Sequence, residues 1–174
     1  MYENSYPAER FNKTLKFLAK HTSGNELILD LGVTNPMSEL MIKAGHKVHN
    51  TQGQDLDLDY EFLKDYQGIE LVTGFEILEH LLSPLPLLMH LPADKVMLTV
   101  PLKLWFSPAY RSATDKWDRH YHEFEDWQFD WLLEKAGWKI KDTEKWIIKN
   151  KKLGIRPFLR NRTPRYYAIY AERR

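Results

Sequence analysis

Three short runs rich in apolar residues recur along the chain, and amphipathic segments separate them. The runs cover residues 26–32, 69–75 and 95–101, and residues 47–52 predict a weaker strand between the first two. Near-continuous apolar runs of this length predict strands that are covered on both faces, as in a parallel sheet. Two further segments, residues 138–149 and 166–171, are also predicted strands, and the first of them alternates apolar and polar side chains. The order predicts an α/β fold, with a doubly wound, mostly parallel sheet that ends in a C-terminal antiparallel hairpin.

Helix signals lie between the runs. Asn35 followed by Pro36 predicts a helix that begins there and ends at Gly45, since asparagine caps a helix and proline suits its first turn. Ser5 and Pro7 predict an earlier helix start in the same way. Residues 60–66 and 125–136 are further predicted helical segments, and a long helical stretch interrupted by Pro84 and Pro86 is predicted between them.

The composition limits the chemistry. The 174 residues are enough for one domain, residues 1–174, and contain no cysteine. Disulfide frameworks, thiolate zinc sites and cysteine nucleophiles are therefore excluded. The longest stretch without Asp, Glu, Lys or Arg, residues 80–93, is too short to span a bilayer. Because the first residues also lack the basic and apolar regions of a signal peptide, we expect a cytoplasmic protein.

Positive charge is concentrated near the C-terminus. The net charge is +1, yet residues 139–174 hold 12 basic and 3 acidic side chains. The basic side chains are densest in residues 149–165, between the last two predicted strands; we call this the basic segment. It is either a solvated edge or a surface for an anionic partner, such as a phosphorylated substrate, nucleic acid or a membrane face. No basic-aromatic nucleic-acid motif accompanies it, so nucleic acid is not supported.

Three segments are expected to converge where the strands end. In a doubly wound sheet, ligands bind outside the carboxyl ends of the strands, where the strand order reverses. The segments that reach this edge are residues 30–36, 52–55 and 74–80. Gly32 allows a ligand to approach the backbone, and the helix that begins at Asn35 offers free N–H groups. The sequence therefore predicts a ligand site at this edge.

The order of these motifs resembles that of class I S-adenosylmethionine-dependent methyltransferases, in particular the short bacterial group with Leu-Glu-His after the fourth strand of their sheet. Residues 26–32 resemble the Leu-Asp-x-Gly motif, and residues 69–84 resemble the segment that contains Leu-Glu-His and ends in Pro. Residues 96–101 and 122–138 match the later parts, so the resemblance covers roughly residues 10 to 170. It implies a Rossmann-like methyltransferase sheet, S-adenosylmethionine as the cofactor, and methyl transfer to an oxygen or carbon atom of a small-molecule acceptor.

The sequence departs from the family pattern at three places. Thr34 and Pro36 stand where the family has glycines beside the cofactor, and Gln52 stands where it has an acid for the ribose hydroxyls. Asp55, three residues later, is a substitute for that acid. The segment between the second and third strands is short, so one helix or strand of the usual fold is expected to be missing. These departures leave two hypotheses, a divergent methyltransferase and a catalytically silent methyltransferase-like module that binds an anionic partner through the basic segment.

The resemblance also implies roles for individual residues. The expected cofactor-binding residues are Asp30, Gly32, Thr34, Gln52, Asp55, Phe75 and Glu76. His80 or His120 is the expected catalytic base. The expected acceptor-binding residues are Trp105, Tyr110, Trp117 and His122. His120 and His122 lie on alternate residues like a pair of metal ligands, but no third ligand at convincing spacing accompanies them, so no metal is expected.

Overall fold

The computed structural model describes residues 7–115, 118–149 and 152–174. The helices are α1 (Ala8–His21), α2 (Pro36–Lys43), α3 (Pro84–His90), α4 (Asp126–Lys135) and α5 (Ile155–Arg160). The strands are β1 (Leu27–Asp30), β2 (Lys47–Asn50), β3 (Leu71–Phe75), β4 (Lys95–Pro101), β5 (Trp138–Trp146) and β6 (Tyr166–Arg173). Short 3-10 helices cover Glu61–Asp65 and Leu78–His80. The predicted cap Ser5 and the expected site residue Trp117 lie outside the described residues.

The six strands form one sheet in the order β2-β1-β3-β4-β6-β5. The first four of these are parallel, whereas β6 pairs antiparallel with both β4 and β5. The α/β prediction, with its mostly parallel sheet and C-terminal antiparallel pair, is confirmed. The chain leaves β1 for β2 on one side and continues with β3 on the other, so the strand order reverses beside β1.

The sheet is covered on both faces. One apolar core joins α1 and α2 to the sheet through residues such as Phe17 and Met41, and a second joins α3 and α4 through Leu88 and Phe129. This three-layer packing explains why the central strands are apolar on both sides. Among the described residues, no helix has the length and apolarity that crossing a membrane requires.

Local signals explain the helix bounds. The side chain of Asn35 accepts hydrogen bonds from the backbone N–H groups of Met37 and Ser38, and Pro36 is the first helical residue. The predicted start of α2 is therefore confirmed. The segment predicted as helical at residues 60–66 is one short 3-10 helix, and the described chain has no strand between β2 and β3. This is consistent with the expected loss of one element in this segment, which stays a prediction.

Candidate functional site

A cavity of about 750 Å³ opens at the carboxyl ends of β1, β3 and β4. We call it the first cavity. It is lined by residues 30–37, 54–58, 75–77 and 80–82, together with Arg10, Phe11, Thr14, Thr99, Arg119 and Tyr121. Its position is the one that the doubly wound topology predicts for a ligand site. Its volume is in the range of small-molecule and cofactor sites.

Asp30 organises the wall at the end of β1. Its buried carboxylate accepts hydrogen bonds from the hydroxyls of Thr73 (2.7 Å) and Ser38 (3.0 Å) and from the amide groups of Asn50 (3.1 Å) and Asn35 (3.3 Å). Burial raises the pKa of Asp30, and these four donors oppose the rise. The carboxylate thus joins β1, β2, β3 and the cap of α2, and it holds the loop that follows β1 in place.

Gly32 forms the turn after β1. Its φ of +100° lies in the left-handed region that favours glycine. Its backbone N–H donates to the hydroxyl of Thr51 at 2.7 Å, and its carbonyl accepts from the amide of Asn50 at 3.2 Å. The end of β2 therefore holds this turn at the edge of the first cavity.

Glu76 follows β3 and is held from two sides. Its carboxylate accepts hydrogen bonds from the guanidinium of Arg10 at 3.0 Å and from the hydroxyl of Thr99 at 2.9 Å. Among the described residues it is the one non-glycine residue with a positive φ, at 60°. A strained backbone of this kind persists only where the surroundings hold it, and such positions are frequent at functional sites.

Three exposed apolar side chains surround the first cavity. Val33, Leu58 and Leu82 all line it, and each keeps more than half of its surface open to solvent. The loop that carries Leu58 is fixed to the segment of Leu82, because the carboxylate of Asp57 accepts from the backbone N–H groups of Leu82 and Ser83 at 2.9 and 2.8 Å. Apolar side chains held in this way offer a surface for a flat apolar ligand group.

A second cavity of about 690 Å³ adjoins the first and shares Arg10, Glu76 and His80 with it. We call it the second cavity. Its other lining residues come from the start of α1, from β4, from the start of β6 and from the segments that follow β3, β4 and β5: Pro7, Glu79, 101–102, Leu104, 107–111, Asp118, His120, Glu123, Ile148, Arg156, Arg160, Arg165 and Tyr166. The shared residues form the junction of the two cavities.

Two histidines and a buried carboxyl group meet at this junction. The rings of His80 and His120 pack edge to face with centroids 4.8 Å apart, and Nε2 of His80 lies 3.7 Å from Oε1 of Glu79. Nδ1 of His80 lies 3.0 Å from the carbonyl oxygen of Arg119. Since a carbonyl only accepts, Nδ1 of His80 carries a proton and donates it to this hydrogen bond.

The electrostatics of the junction fix two protonation states. Burial raises the pKa of Glu79 well above its usual value, and the nearby charge of Glu76 raises it further. Burial raises the pKa of Glu76 as well, but Arg10 and Thr99 oppose that rise, so the Glu79 carboxyl keeps its proton to a higher pH than Glu76 does. Burial lowers the pKa of His120 to about 4, with a further contribution from His80, so the imidazole of His120 is neutral near pH 7.

Glu79, His80 and His120 have the donor set of a metal site. One ligand atom from each lies within 4.8 Å of the others, and Oε2 of Glu79 is buried without a hydrogen-bond partner. A carboxylate with two imidazoles is a set that zinc and related divalent ions accept. The sequence pattern pairs His120 with His122 and offers no third ligand; the structure instead brings His120 to His80, with Glu79 as the third group.

Comparison with solved structures gives the fold. The structure of an S-adenosylmethionine-dependent methyltransferase from Listeria monocytogenes aligns with a TM-score of 0.65 over 97% of this chain and 100% of that chain, at 13% identity. The S-adenosylmethionine-dependent methyltransferase of Archaeoglobus fulgidus aligns at 0.63, over 97% and 95% of the two chains, at 16% identity. The fold is that of class I methyltransferases.

A third methyltransferase structure contains ligands. The 1,6-didemethyltoxoflavin-N1-methyltransferase of Burkholderia thailandensis, bound to 1,6-didemethyltoxoflavin and S-adenosylhomocysteine, aligns with a TM-score of 0.60 over 94% of this chain and 77% of that chain, at 14% identity. No family model and no curated protein matches the sequence. At these identities the likeness extends to the methyltransferase fold alone.

Most of the residues expected to bind the cofactor line the first cavity of this methyltransferase fold. They are Asp30, Gly32, Thr34, Asp55, Phe75 and Glu76. Gln52 is exposed and does not line the cavity, whereas Gln54 and Asp55 do. The reason is local, because Gln52 follows the end of β2 at the surface and its backbone N–H bonds to the side chain of Gln54.

The residues expected to bind the acceptor are only partly brought together. Tyr110 lines the second cavity, beside His120 at a ring distance of 4.7 Å. Trp105 is 76% exposed and lines neither cavity. The ring of His122 packs on Phe124, and its Nε2 donates to the carbonyl of Leu82 at 3.2 Å. This side chain therefore contacts protein groups and lines neither cavity.

Several residues of the two cavities carry no clear signal in the sequence. Arg10 belongs to the amphipathic pattern of α1, where an arginine usually signals a solvated face. Val33, Leu58 and Leu82 are scattered over three loops, and only the folded chain brings them together. Arg156, Arg160 and Arg165 stand out in the sequence as basic but not as residues that line a cavity.

Proposed function

We propose that the protein transfers a methyl group from S-adenosylmethionine to an oxygen or carbon atom of a small-molecule acceptor. The single observation that carries the proposal is the pair of adjoining cavities at the carboxyl ends of the parallel strands, with Glu76 and His80 at their junction. A reaction between a cofactor and an acceptor needs two sites that share a wall. The Burkholderia structure, which contains a small molecule and S-adenosylhomocysteine together, supports the same division.

The first cavity has the features that the cofactor requires. Val33, Leu58 and Leu82 would contact the adenine ring, and Asp55 would accept hydrogen bonds from the ribose hydroxyls. Arg10 would interact with the carboxylate of the methionine part. Thr34 and Pro36, the two departures from the glycine pattern, line the first cavity and leave its volume open. The residues present therefore fit S-adenosylmethionine.

The second cavity would hold the acceptor. The bound cofactor supplies an electrophilic methyl group, so the remaining tasks are to position the acceptor and to remove its proton. The neutral imidazole of His120 would accept the proton of an acceptor hydroxyl near pH 7. His80, whose orientation is fixed by the carbonyl of Arg119, would position the acceptor beside the first cavity.

The silent-module hypothesis requires basic side chains that face a partner on the outside. Arg156, Arg160 and Arg165 instead line the second cavity, next to His120. This arrangement favours a role for the basic segment in binding a small acceptor. It gives the enzyme hypothesis more support than the silent module.

Thermal unfolding with several ligands tests the proposal. S-adenosylmethionine and S-adenosylhomocysteine should each raise the Tm in proportion to the logarithm of ligand concentration, because each binds the folded state alone. NADH is the matched control, since it also contains adenosine but needs a glycine-rich pyrophosphate turn that Gly32-Val-Thr-Asn-Pro36 lacks. An equal shift with NADH, or no shift with either sulfur ligand, would contradict the proposal.

A further inference from the structure

The basic segment places three arginines at the second cavity. Arg156 and Arg160 lie on α5, and Arg165 directly precedes β6. All three line the second cavity, whereas Arg162 of the same segment does not. The guanidinium of Arg162 instead packs over the ring of Phe158, 3.7 Å from its centroid. The segment therefore divides into arginines that face the cavity and an arginine that does not.

The cavity arginines are not neutralised by acidic side chains. Among the residues that the structure describes, no ion pair involves Arg156, Arg160 or Arg165. Nε of Arg160 is buried and has no hydrogen-bond partner. Burial and the positive charges of Arg165 and Arg156 lower the pKa of Arg160. Guanidinium groups held together in this way are destabilised unless an anion binds between them.

The second cavity is lined by four acidic groups, and Glu76, Asp118 and Glu123 accept hydrogen bonds from residues outside the basic segment. Glu76 accepts from Arg10 and Thr99. The hydroxyl of Tyr110 donates to the carboxylate of Asp118, and its backbone N–H donates to Glu123 at 2.6 Å. These contacts occupy three of the carboxylates, and burial raises the pKa of the fourth carboxyl group, that of Glu79, well above its usual value. The guanidinium groups of the basic segment are therefore left for a ligand.

The position of Arg165 is fixed by the sheet. Its backbone N–H donates to the carbonyl of Trp146 and its carbonyl accepts from the N–H of Leu102, each at 2.8 Å. Its guanidinium lies over the ring of Tyr166, 5.3 Å from the centroid, and lines the second cavity together with Glu76 and His120. Arg156, at the outer side, donates to the hydroxyl of Ser107 at 2.6 Å. The cationic wall is therefore held in place and adjoins the residues that would carry out the chemistry.

We propose that Arg160 and Arg165, with Arg156 beside them, bind an oxyanion group, a phosphate or a carboxylate, on the molecule that occupies the second cavity. Guanidinium groups form paired hydrogen bonds with both kinds of anion, and the unpartnered Nε of Arg160 is a free donor for one of them. The anion site is inferred from these contacts alone. That the bound anion belongs to the methyl acceptor rests on the proposed function, and in that case the acceptor is an anionic metabolite.

Calorimetric titration of the full chain with inorganic phosphate, and separately with malonate, tests the site at low ionic strength. At least one of the two should bind, and the tighter one identifies the group. Arg160→Gln and Arg165→Gln should each weaken binding about tenfold or more, because each removes a charge-assisted donor. Arg162→Gln is the matched control, with the same loss of charge two residues from Arg160, and should change the affinity less than about twofold. If Arg160→Gln or Arg165→Gln does not fold, Arg156→Gln, at an exposed position, replaces it as the test variant and should also weaken binding.

The outcomes are distinct. Binding that depends on Arg160 and Arg165 but not on Arg162 supports the site. Absence of binding by both anions, or equal losses in Arg160→Gln and Arg162→Gln, overturns it, because equal losses indicate diffuse surface charge. A parallel titration with S-adenosylhomocysteine separates the two proposals. If phosphate or malonate binds and S-adenosylhomocysteine does not, the proposed function fails and the anion site stands.

Discussion

The guanidinium of Arg10 donates a 3.0 Å hydrogen bond to the carboxylate of Glu76, across 66 positions of sequence. Both side chains are largely buried, and both line the two cavities at their junction. The pair joins α1 to the end of β3, where the backbone of Glu76 has a positive φ. This ion pair therefore links α1 to the strained residue Glu76 at the junction of the two cavities.

Replacing Arg10 by glutamine should destabilise the protein. Burial already raises the pKa of Glu76 and Arg10 opposes that rise, so without Arg10 the buried carboxyl would either stay charged without a partner or take up a proton. Breaking such a pair costs about 3 kcal/mol. Urea denaturation near pH 7 measures the change in the free energy of unfolding. The double variant Arg10→Gln/Glu76→Gln is the control and should recover part of the loss, since it removes the uncompensated charge. A double variant less stable than Arg10→Gln alone would contradict this account of the pair.

Asp30→Asn should reduce stability more than Asp55→Asn. The carboxylate of Asp30 accepts from four side chains, and an asparagine amide would turn donors toward some of them. We expect a loss of about 2 kcal/mol at Asp30. Asp55 is exposed and lines the first cavity, so its variant should lower the affinity for S-adenosylhomocysteine with little change in unfolding. Equal stability losses in the two variants would show that Asp30 does not organise the loop.

The difference in the free energy of unfolding between Glu79→Gln and the wild type should change with pH in a defined direction. The pKa of Glu79 is raised in the folded state, so folded protein binds a proton that the unfolded chain releases above its ordinary value of 4.5. The wild type therefore loses stability as pH rises from about 4.5 through the raised pKa, at up to about 1.4 kcal/mol for each pH unit in that range. Glutamine cannot ionise, so the variant should gain stability relative to the wild type over the same range.

Urea denaturation at several pH values checks this prediction. The control is Glu61→Gln, since Lys64 lowers the pKa of the exposed Glu61 carboxyl and the pH dependence should then have the opposite sign. The titratable and charged groups that face Glu79 are Glu76, Arg10, Asp118, His80 and His120, and they are unchanged in both variants. A difference between Glu79→Gln and wild type that stays constant with pH would show that Glu79 is not protonated in the fold.

His120 should titrate far below an ordinary histidine, with a pKa of about 4 in the folded protein. Arg165→Gln should raise that pKa because it removes a nearby positive charge, and Asp118→Asn should lower it because it removes a negative one. NMR titration of the His120 ring protons measures all three values. Because the folded pKa is depressed, the imidazole must charge against burial, and stability should fall as pH drops from about 6.5 toward 4. Shifts of the same sign in both variants would contradict the assigned environment.

The sheet was predictable from sequence because burial on both faces leaves a direct pattern. Residues 69–75 and 95–101 are apolar through most of their length, and helices α1 and α2 cover one face of them while α3 and α4 cover the other. The start of α2 was equally readable, since the Asn35 cap and Pro36 act within one turn of helix. Features of this kind can be predicted because they depend on residues that are close together in the sequence.

The site was less predictable because its contacts are long-range. A count along β2 predicts that Gln52 contacts the cofactor, but the strand end turns it toward solvent. The meeting of His80 with His120, 40 positions apart, depends on the backbone N–H groups of Tyr121 and His122, which both donate to the carbonyl of Glu79. No spacing rule in the sequence gives that contact.

Binding of S-adenosylmethionine is the central claim, and isothermal titration of the full chain with S-adenosylmethionine and S-adenosylhomocysteine tests it most directly. We expect one site per chain with a Kd on the order of 10 micromolar, corresponding to about −7 kcal/mol. Such binding would show that the first cavity accepts the cofactor despite Thr34 and Pro36. Absence of heat from either ligand up to millimolar concentration, with the protein folded, would contradict it.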